Sequence, residues 1–417
     1  MKRRVVITGT GLISAVGKDV QSSWASLLAG RSGVDRIQGF DATDYPVRFA
    51  GEVRDFEPLD YIDRKEVKRT DRFAQLGIGA SAQAMREAGL DEGLGSVDPE
   101  RFGVIIGSGI GGIATFEEQH ARFIEKGPSR VSPFFVPMFI ADIVSGLVSM
   151  RYNAKGPNYT TVSACASGAH AIGSAFRSIL VGESDVMLAG GTEASVTPMT
   201  VAGFAAMNAL SERNDSPSTA SRPFDATRDG FVLGEGAGIL VLEEMEHAIA
   251  RGARIIAEVA GFGQTGDAYH ITSPAPGGEG AVRAMKAALR ETGEDPAAVS
   301  YINAHGTSTP ANDMNETAAI KTVFGDHARK LLVGSTKSMT GHTLGAAGGV
   351  EAVITALVCQ NGVVPATINY SEPDPACDLN YVTSGVVEQQ VDLALSNSFG
   401  FGGHNVSLAI RRWEARK

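Results

Sequence analysis

The 417-residue chain is 43% hydrophobic and 20% charged, the make-up of an ordinary globular protein long enough for about two to three domains. A formal net charge of −10 argues against nucleic acid as the main partner, because phosphate recognition needs a basic face. Three widely spaced cysteines fit neither a disulfide framework nor a zinc site and suit a reducing cytoplasm. No run of about 18 apolar residues occurs, so no membrane span is expected.

The opening "MKRRVVITGTGLISAVG" pairs basic residues with an apolar run, but Gly9 and Gly11 cut that run too short for a leader. It reads as a buried first strand over 4–9. Further short apolar runs follow at 101–109, 185–191, 238–245, 255–263, 299–306 and 331–336, with helical patterns between several of them, as at 72–88 and 279–292. This alternation predicts an α/β fold in layers. The chain also echoes itself. Residues 81–112 are matched by 281–309, 160–183 by 334–362, and 185–194 by 393–405, in pattern more than in identity. Two related halves, 1–253 and 254–417, are therefore expected to share a cleft. Fifty glycines predict many tight turns and close backbone approaches.

The strand-like "NYTTVSA" runs directly into Cys165, and a helix rich in small residues follows. A cysteine at a helix N-terminus meets the positive end of the dipole, which favours thiolate, and free N–H groups there can hold an oxyanion. On this fragment alone a buried structural cysteine is an equal reading. Cys359, late in an apolar helix, and Cys377, in a turn, read as structural. Among eight histidines, His120, His247 and His327 sit among charges as surface residues, and His170 reads as a core histidine. His305, at the end of a buried strand, and His342, before the helix that mirrors the one after Cys165, stand apart. By the duplication His342 is expected to occupy the place of Cys165 in the second half. Lys337 lies in an otherwise uncharged loop. Glu351 is the sole charge in an apolar helix, so it needs a partner if buried, Lys337 being the nearest; a solvent-facing Glu351 is the alternative. A papain-like protease would use one histidine and an asparagine. Two histidines facing a thiol suit acceptance of an acyl group on sulfur, followed by stabilisation of charge on a thioester carbonyl. No phosphate-binding GxxxxGK[ST] is present, and "GSGIGG" at 107–112 lacks dinucleotide-loop spacing.

"VSACASG" around Cys165, "SRPFDATRDGFVLGEGAG" (221–238), "NAHGTSTPANDMNETAAIK" (303–321), "STKSMTGHTLGAAGGVEA" (335–352) and "SNSFGFGGHN" (396–405) together resemble the β-ketoacyl-acyl carrier protein synthases of fatty-acid synthesis. The resemblance covers nearly the whole chain. It implies the thiolase-like fold, two duplicated α/β halves in a five-layered α/β/α/β/α body, as a cytoplasmic homodimer with no metal or cofactor. It implies a decarboxylating Claisen condensation through an acyl-Cys165 intermediate, with the N–H groups of Cys165 and Phe401 as oxyanion hole. His305 and His342 would promote decarboxylation as neutral hydrogen-bond donors, and Lys337 and Glu351 would order the site. Thr307 and Thr309 match hydroxyls that hold the pantetheine arm of the carrier. Phe401 matches the gate over the acyl pocket, Ile110 and Phe204 match pocket-lining residues, and Phe399 joins them on the substrate side.

The carrier protein is acidic in this family. "DRKEVKRTDR" (63–72) carries five basic and three acidic residues, which makes Lys65, Lys68 and Arg69 a candidate docking patch; a solvated helix face is the alternative. His404 stands where many relatives have threonine. A thiolase is disfavoured because the last Gly-rich loop holds no second cysteine. An inert chain-length subunit is disfavoured by Cys165, and a polyketide ketosynthase is the nearer rival.

Overall fold

The computed structural model describes residues 3–95 and 97–414. Ten strands form one mixed sheet. The first half of the chain supplies β1 (Val5–Ser14), β2 (Phe102–Gly107), β3 (Asn158–Tyr159), β4 (Val186–Glu193) and β5 (Gly236–Glu244). The second supplies β6 (Ala257–Gly266), β7 (Tyr301–Asn303), β8 (Leu332–Gly334), β9 (Leu393–Gly400) and β10 (His404–Arg412). Their spatial order is β8-β7-β9-β10-β6-β1-β5-β4-β2-β3. Read outward from the centre, both halves run through the same succession, so each strand in the first half has its counterpart five strands later. The pairing directions match as well. β2 is parallel to β3 and β4, as β7 is to β8 and β9, while the inner strands of each half pair antiparallel.

The halves meet where β1 pairs with β6 through only three residue pairs, Val5↔Val259 to Ile7↔Ala257. About this short seam they fold over two central helices, α2 (Ser167–Leu180) and α5 (Ala347–Asn361), which pack on each other and on strands of both halves. Helix α1 (Arg72–Glu87) covers the outside of the first half and α3 (Glu279–Thr292) the outside of the second. The result is the expected five-layered α/β/α/β/α arrangement. Strands covered on both faces read as continuous apolar runs rather than alternating ones, which is why β1 is buried throughout.

Small residues let the central helices touch backbone to backbone. A Cβ on Gly348 would lie 2.4 Å from the Ala169 nitrogen, and one on Gly168 2.8 Å from that of Gly349. The helical segment Leu344–Asn361 is long and apolar enough to cross a membrane, but 89% of it is buried inside the protein. Helices apolar on every side are core helices when a protein surrounds them. Two expected strands, 299–306 and 331–336, contract to three residues each, because beyond them the chain turns away to carry His305 and Lys337.

Candidate active site

The nucleophile candidate sits on a strained turn. Ala164 has φ +51°, a left-handed conformation costing about 1–2 kcal/mol for a residue with a Cβ. Ser167 clamps the turn: its hydroxyl accepts from the Ser163 N–H at 2.9 Å and donates to the Ala164 carbonyl at 2.7 Å. Helix α2 starts there without a side-chain cap; the N–H groups of Ala166 and Ser167 turn back to the Ser163 and Ala164 carbonyls, each at 3.1 Å. The loop after β9 lies directly on this turn. A Cβ on Gly400 would be 2.8 Å from the Ser163 carbonyl oxygen and 3.1 Å from the Cys165 nitrogen. The next residue, Phe401, directs its N–H to the thiol.

Burial works against the thiolate that a helix start favours. Burial pushes the Cys165 thiol up to about 12, with Lys337 and the Phe401 N–H acting against burial and Glu193 adding to it. Desolvation of a single charge outweighs the helix dipole here.

His305 and His342 face Cys165, the sulfur and one nitrogen of each ring lying within 4.8 Å of one another. The two imidazoles meet edge to face, 5.2 Å apart at 84°. Burial chiefly, and then the Lys337 charge, hold both well below the ordinary histidine range; His342 adds to the effect on His305. Both rings are therefore neutral at pH 7. Lys337 Nζ lies 3.4 Å from His305 Nδ1. An ammonium can only donate, so Nδ1 accepts and the ring proton resides on Nε2. Lys337 also forms an ion pair with Glu351, both side chains being almost wholly buried. Burial, opposed by Lys337, raises Glu351 to about 7. The choice between a paired and a solvent-facing Glu351 is thus settled by its burial.

A cavity of about 420 Å³ opens onto these groups. Cys165, His305 and His342 border it, as do all six substrate-side residues named from the sequence: Ile110, Phe204, Thr307, Thr309, Phe399 and Phe401. The Thr307 and Thr309 hydroxyls are 2.9 Å apart. Phe204 packs between Phe231 and Phe401, with ring centroids at 5.3 and 6.5 Å. Lys337 and Glu351 lie behind the histidines rather than on the cavity wall. Lys65, Lys68 and Arg69 are exposed on and just after the short helix Arg64–Val67, away from the cavity lining. Arg69 stacks over Phe134 at 4.5 Å.

Three readings change. His342 is not the positional counterpart of Cys165. Helix α5 begins at Ala347 as α2 begins at Ser167, and Leu344 (φ +47°) repeats the strained Ala164, so Gly345 matches Cys165 and His342 lies three residues earlier. Of the supposed surface histidines only His120 is exposed; His247 pairs with Glu243 at 2.6 Å and His327 binds the Val299 carbonyl at 2.8 Å, both half-buried. His170 is half-buried, 2.7 Å from the Ser163 hydroxyl, and held to about 4 by burial first and by nearby His404 second.

Two buried carboxylates escaped the sequence reading. Glu316, on α4 (Pro310–Phe324), accepts the N–H groups of His305 and Gly306 at 2.9 and 2.8 Å and so fixes the His305 turn. Glu193, at the end of β4, gathers N–H groups from the "GSGIGG" loop. That loop binds a carboxylate of its own chain rather than a phosphate. A lone acid closing an apolar strand was the available signal for Glu193.

Residues 2–248 match the family described as Beta-ketoacyl synthase, N-terminal domain, and residues 256–371 the corresponding C-terminal domain. The chain belongs to the β-ketoacyl synthase family. Among β-ketoacyl synthases it is 54% identical over 413 residues to the 3-oxoacyl-[acyl-carrier-protein] synthase 2 of Synechocystis sp.. It is 53% identical to the enzyme of that name from Staphylococcus aureus (strain COL); 99% of each chain is covered in both comparisons. Its fold superposes on a β-ketoacyl synthase from Burkholderia phymatum with a TM-score of 0.91 and 38% identity, covering 99% of this chain and all of that one. A type II polyketide ketosynthase solved with its acyl-carrier protein and bound to a hexaketide gives 0.92 and 35% at the same coverage. The family expected from the motifs is the family found, and the thiolase alternative falls away.

Proposed function

We propose that this β-ketoacyl synthase extends acyl chains carried on an acyl carrier protein by two carbons from malonyl carrier protein, releasing 3-oxoacyl carrier protein, free carrier and CO₂. The observation that carries the reading is a thiol on a strained helix-start turn, facing two neutral imidazoles across an apolar cavity. The names of the curated relatives support the same reaction.

In the first half-reaction the Cys165 sulfur attacks the acyl thioester. The carbonyl oxygen collects charge between the N–H groups of Cys165 and Phe401, and the thiol proton leaves on the departing pantetheine sulfur. The acyl chain passes Phe401 and lies against Ile110 and Phe204. In the second, malonyl carrier protein enters along Thr307 and Thr309, with Phe399 at its side. The malonyl carboxylate leaves as CO₂, and its electron pair passes into an enolate whose oxygen is held by His305 and His342. A neutral imidazole donates one hydrogen bond without a net charge that would favour the carboxylate about to be lost. The enolate carbon then attacks the acyl-Cys165 carbonyl and expels the sulfur, which takes up one proton from solvent. Lys337, anchored by Glu351, keeps the His305 proton on Nε2. The 1–253 half thus supplies the nucleophile and the 254–417 half the two histidines and the gate.

The same proposal includes a cytoplasmic homodimer. Exposed apolar side chains and an open sheet edge support it: Ile124, Val136, Met150 and Val162 are each more than half exposed, and β3 is an edge strand of the sheet. Such features mark protein interfaces. Lys65, Lys68 and Arg69 are proposed to receive the acidic carrier.

The test is incubation with radiolabelled medium-chain acyl carrier protein and with malonyl carrier protein, separately and together, for the native enzyme and Cys165→Ala. Label held by the native enzyme alone, with 3-oxoacyl product and CO₂ only when both are present, is expected. Absence of transfer would overturn the reading.

A further inference from the structure

Glu193 is wholly buried at the end of β4, takes no direct part in the proposed reaction, and receives five donors. The Ser108 hydroxyl reaches it at 2.9 Å, and the N–H groups of Gly109, Ile110 and Gly111 at 2.7, 3.2 and 3.3 Å. The fifth is the N–H of Gly345 at 3.0 Å, from the other half of the chain. Ser108 itself accepts from Gly111 at 3.1 Å, so its proton points to Glu193. Burial raises Glu193 above the ordinary carboxylate range; five donors and no acceptor around its two oxygens act against burial and favour the ionised form. Charge-assisted bonds of this kind are roughly twice as strong as neutral ones.

Gly345 is the counterpart of Cys165. In the first half the N–H at this point of the turn is left for a substrate oxygen; in the second it is already filled by Glu193 Oε2. The fit leaves no slack. A Cβ on Gly345 would stand 2.2 Å from the Gly109 nitrogen and 2.6 Å from Glu193 Oε2. Three neighbours of this knot, Gly109, Ile110 and Leu344, line the cavity beside Cys165.

We propose that Glu193 is a positioning and specificity-determining residue: a resident anion in the second, unused anion hole that seats the Ile110 loop against the turn before α5 and so sets the wall of the acyl pocket. This rests on the condensing reading above. The carboxylate also faces the nucleophile electrostatically. Among charged groups, Lys337 stabilises the Cys165 thiolate and Glu193 opposes it, while His305 and His342 are neutral.

The experiment compares Glu193→Gln and Ser108→Ala with the native enzyme. Cys165 acylation is measured with acyl carrier proteins of eight, twelve and sixteen carbons, and Cys165 alkylation by iodoacetamide is measured from pH 6 to 10. Folding is followed by melting temperature. The expected result for Glu193→Gln is a flattening of the chain-length preference by about tenfold and an alkylation profile displaced to lower pH. Ser108→Ala, which removes one donor and keeps the charge, should change the preference about threefold and leave the alkylation profile in place. Native acylation tests the condensing reading first, and alkylation reads the knot independently of it. Folded Glu193→Gln with native preference and native profile overturns the proposal. Should that variant not fold, an unchanged preference in Ser108→Ala overturns it.

Discussion

The turn that carries Cys165 and the turn that carries Gly345 are the same backbone device used twice. Each follows a short strand, places a non-glycine residue in the left-handed region, and opens a central helix without a side-chain cap. In the first turn Cys165 borders a cavity. In the second the amide faces a buried carboxylate, and no side chain fits. On the proposed function, a duplicated scaffold yields one chemical site and one structural joint. What separates them is the group placed opposite the amide, not the backbone.

The largest effect should come from removing what makes the first turn chemical. Cys165→Ala is expected to lower acyl transfer by about 10³-fold or more with an unchanged melting temperature. Gly345→Ala at the other turn should do the reverse. It adds no chemistry and forces apart the Gly109 loop, costing about 1–3 kcal/mol or more, read by denaturant unfolding. If Gly345→Ala is as stable as the native chain, the contrast between the turns is wrong.

Next is the buried ion pair behind the histidines. Lys337→Met leaves Glu351 without its cation, a loss of about 3–5 kcal/mol at neutral pH. The pH course has a definite sign. Burial raises Glu351 from 4.5 to about 7, so its contribution is present below pH 4.5 and lost as pH rises through 7. Lys337 holds that value down, so its removal raises Glu351 further, and unfolding of the variant should show partial recovery on acidification from pH 8 to 6. The histidines act oppositely. His305, His342 and His170 are all depressed from 6.5, so their contribution is present above pH 6.5 and fades as pH falls below it. Decarboxylation of malonyl carrier protein should consequently be flat from pH 7 to 8, measured as CO₂ release.

A smaller effect is expected from the surface. Reversing Lys65, Lys68 and Arg69 to glutamate should raise KM for the acyl carrier protein several-fold, most at low salt, and leave kcat with a free pantetheine thioester unchanged. The smallest is expected from His404→Thr. His404 lies against the loop that carries Phe401, where a Cβ on Gly402 would be 2.9 Å from its Nε2. It faces His170 at 6.4 Å. Turnover should change less than about threefold at pH 8, with any difference growing below pH 6 as His170 is freed from its neighbour.

Much of this protein was legible in its residues. The apolar runs located the main strands, and the internal echoes paired the halves correctly, because the order of strands and helices is a local property repeated along the chain. Cys165, His305 and His342 stood out because a thiol and two imidazoles in small, uncharged, glycine-rich loops have few structural reasons to be there. The burial that opposes a Cys165 thiolate has no mark in the sequence, since a helix start is visible there and the depth of burial is not. The counterpart of Cys165 was placed three residues off because the strained φ at Ala164 and Leu344 leaves no compositional mark.

By itself, then, the sequence determined the α/β class and the family, and it singled out the candidate residues of the site. Only the tertiary structure decided which backbone amides face those groups. Glu193 bonds to residues 82 to 152 positions away, and Glu316 holds the His305 turn from a separate helix. Backbone N–H groups are the same at every position, so which carboxylate gathers them depends on how the halves fold together rather than on any local pattern.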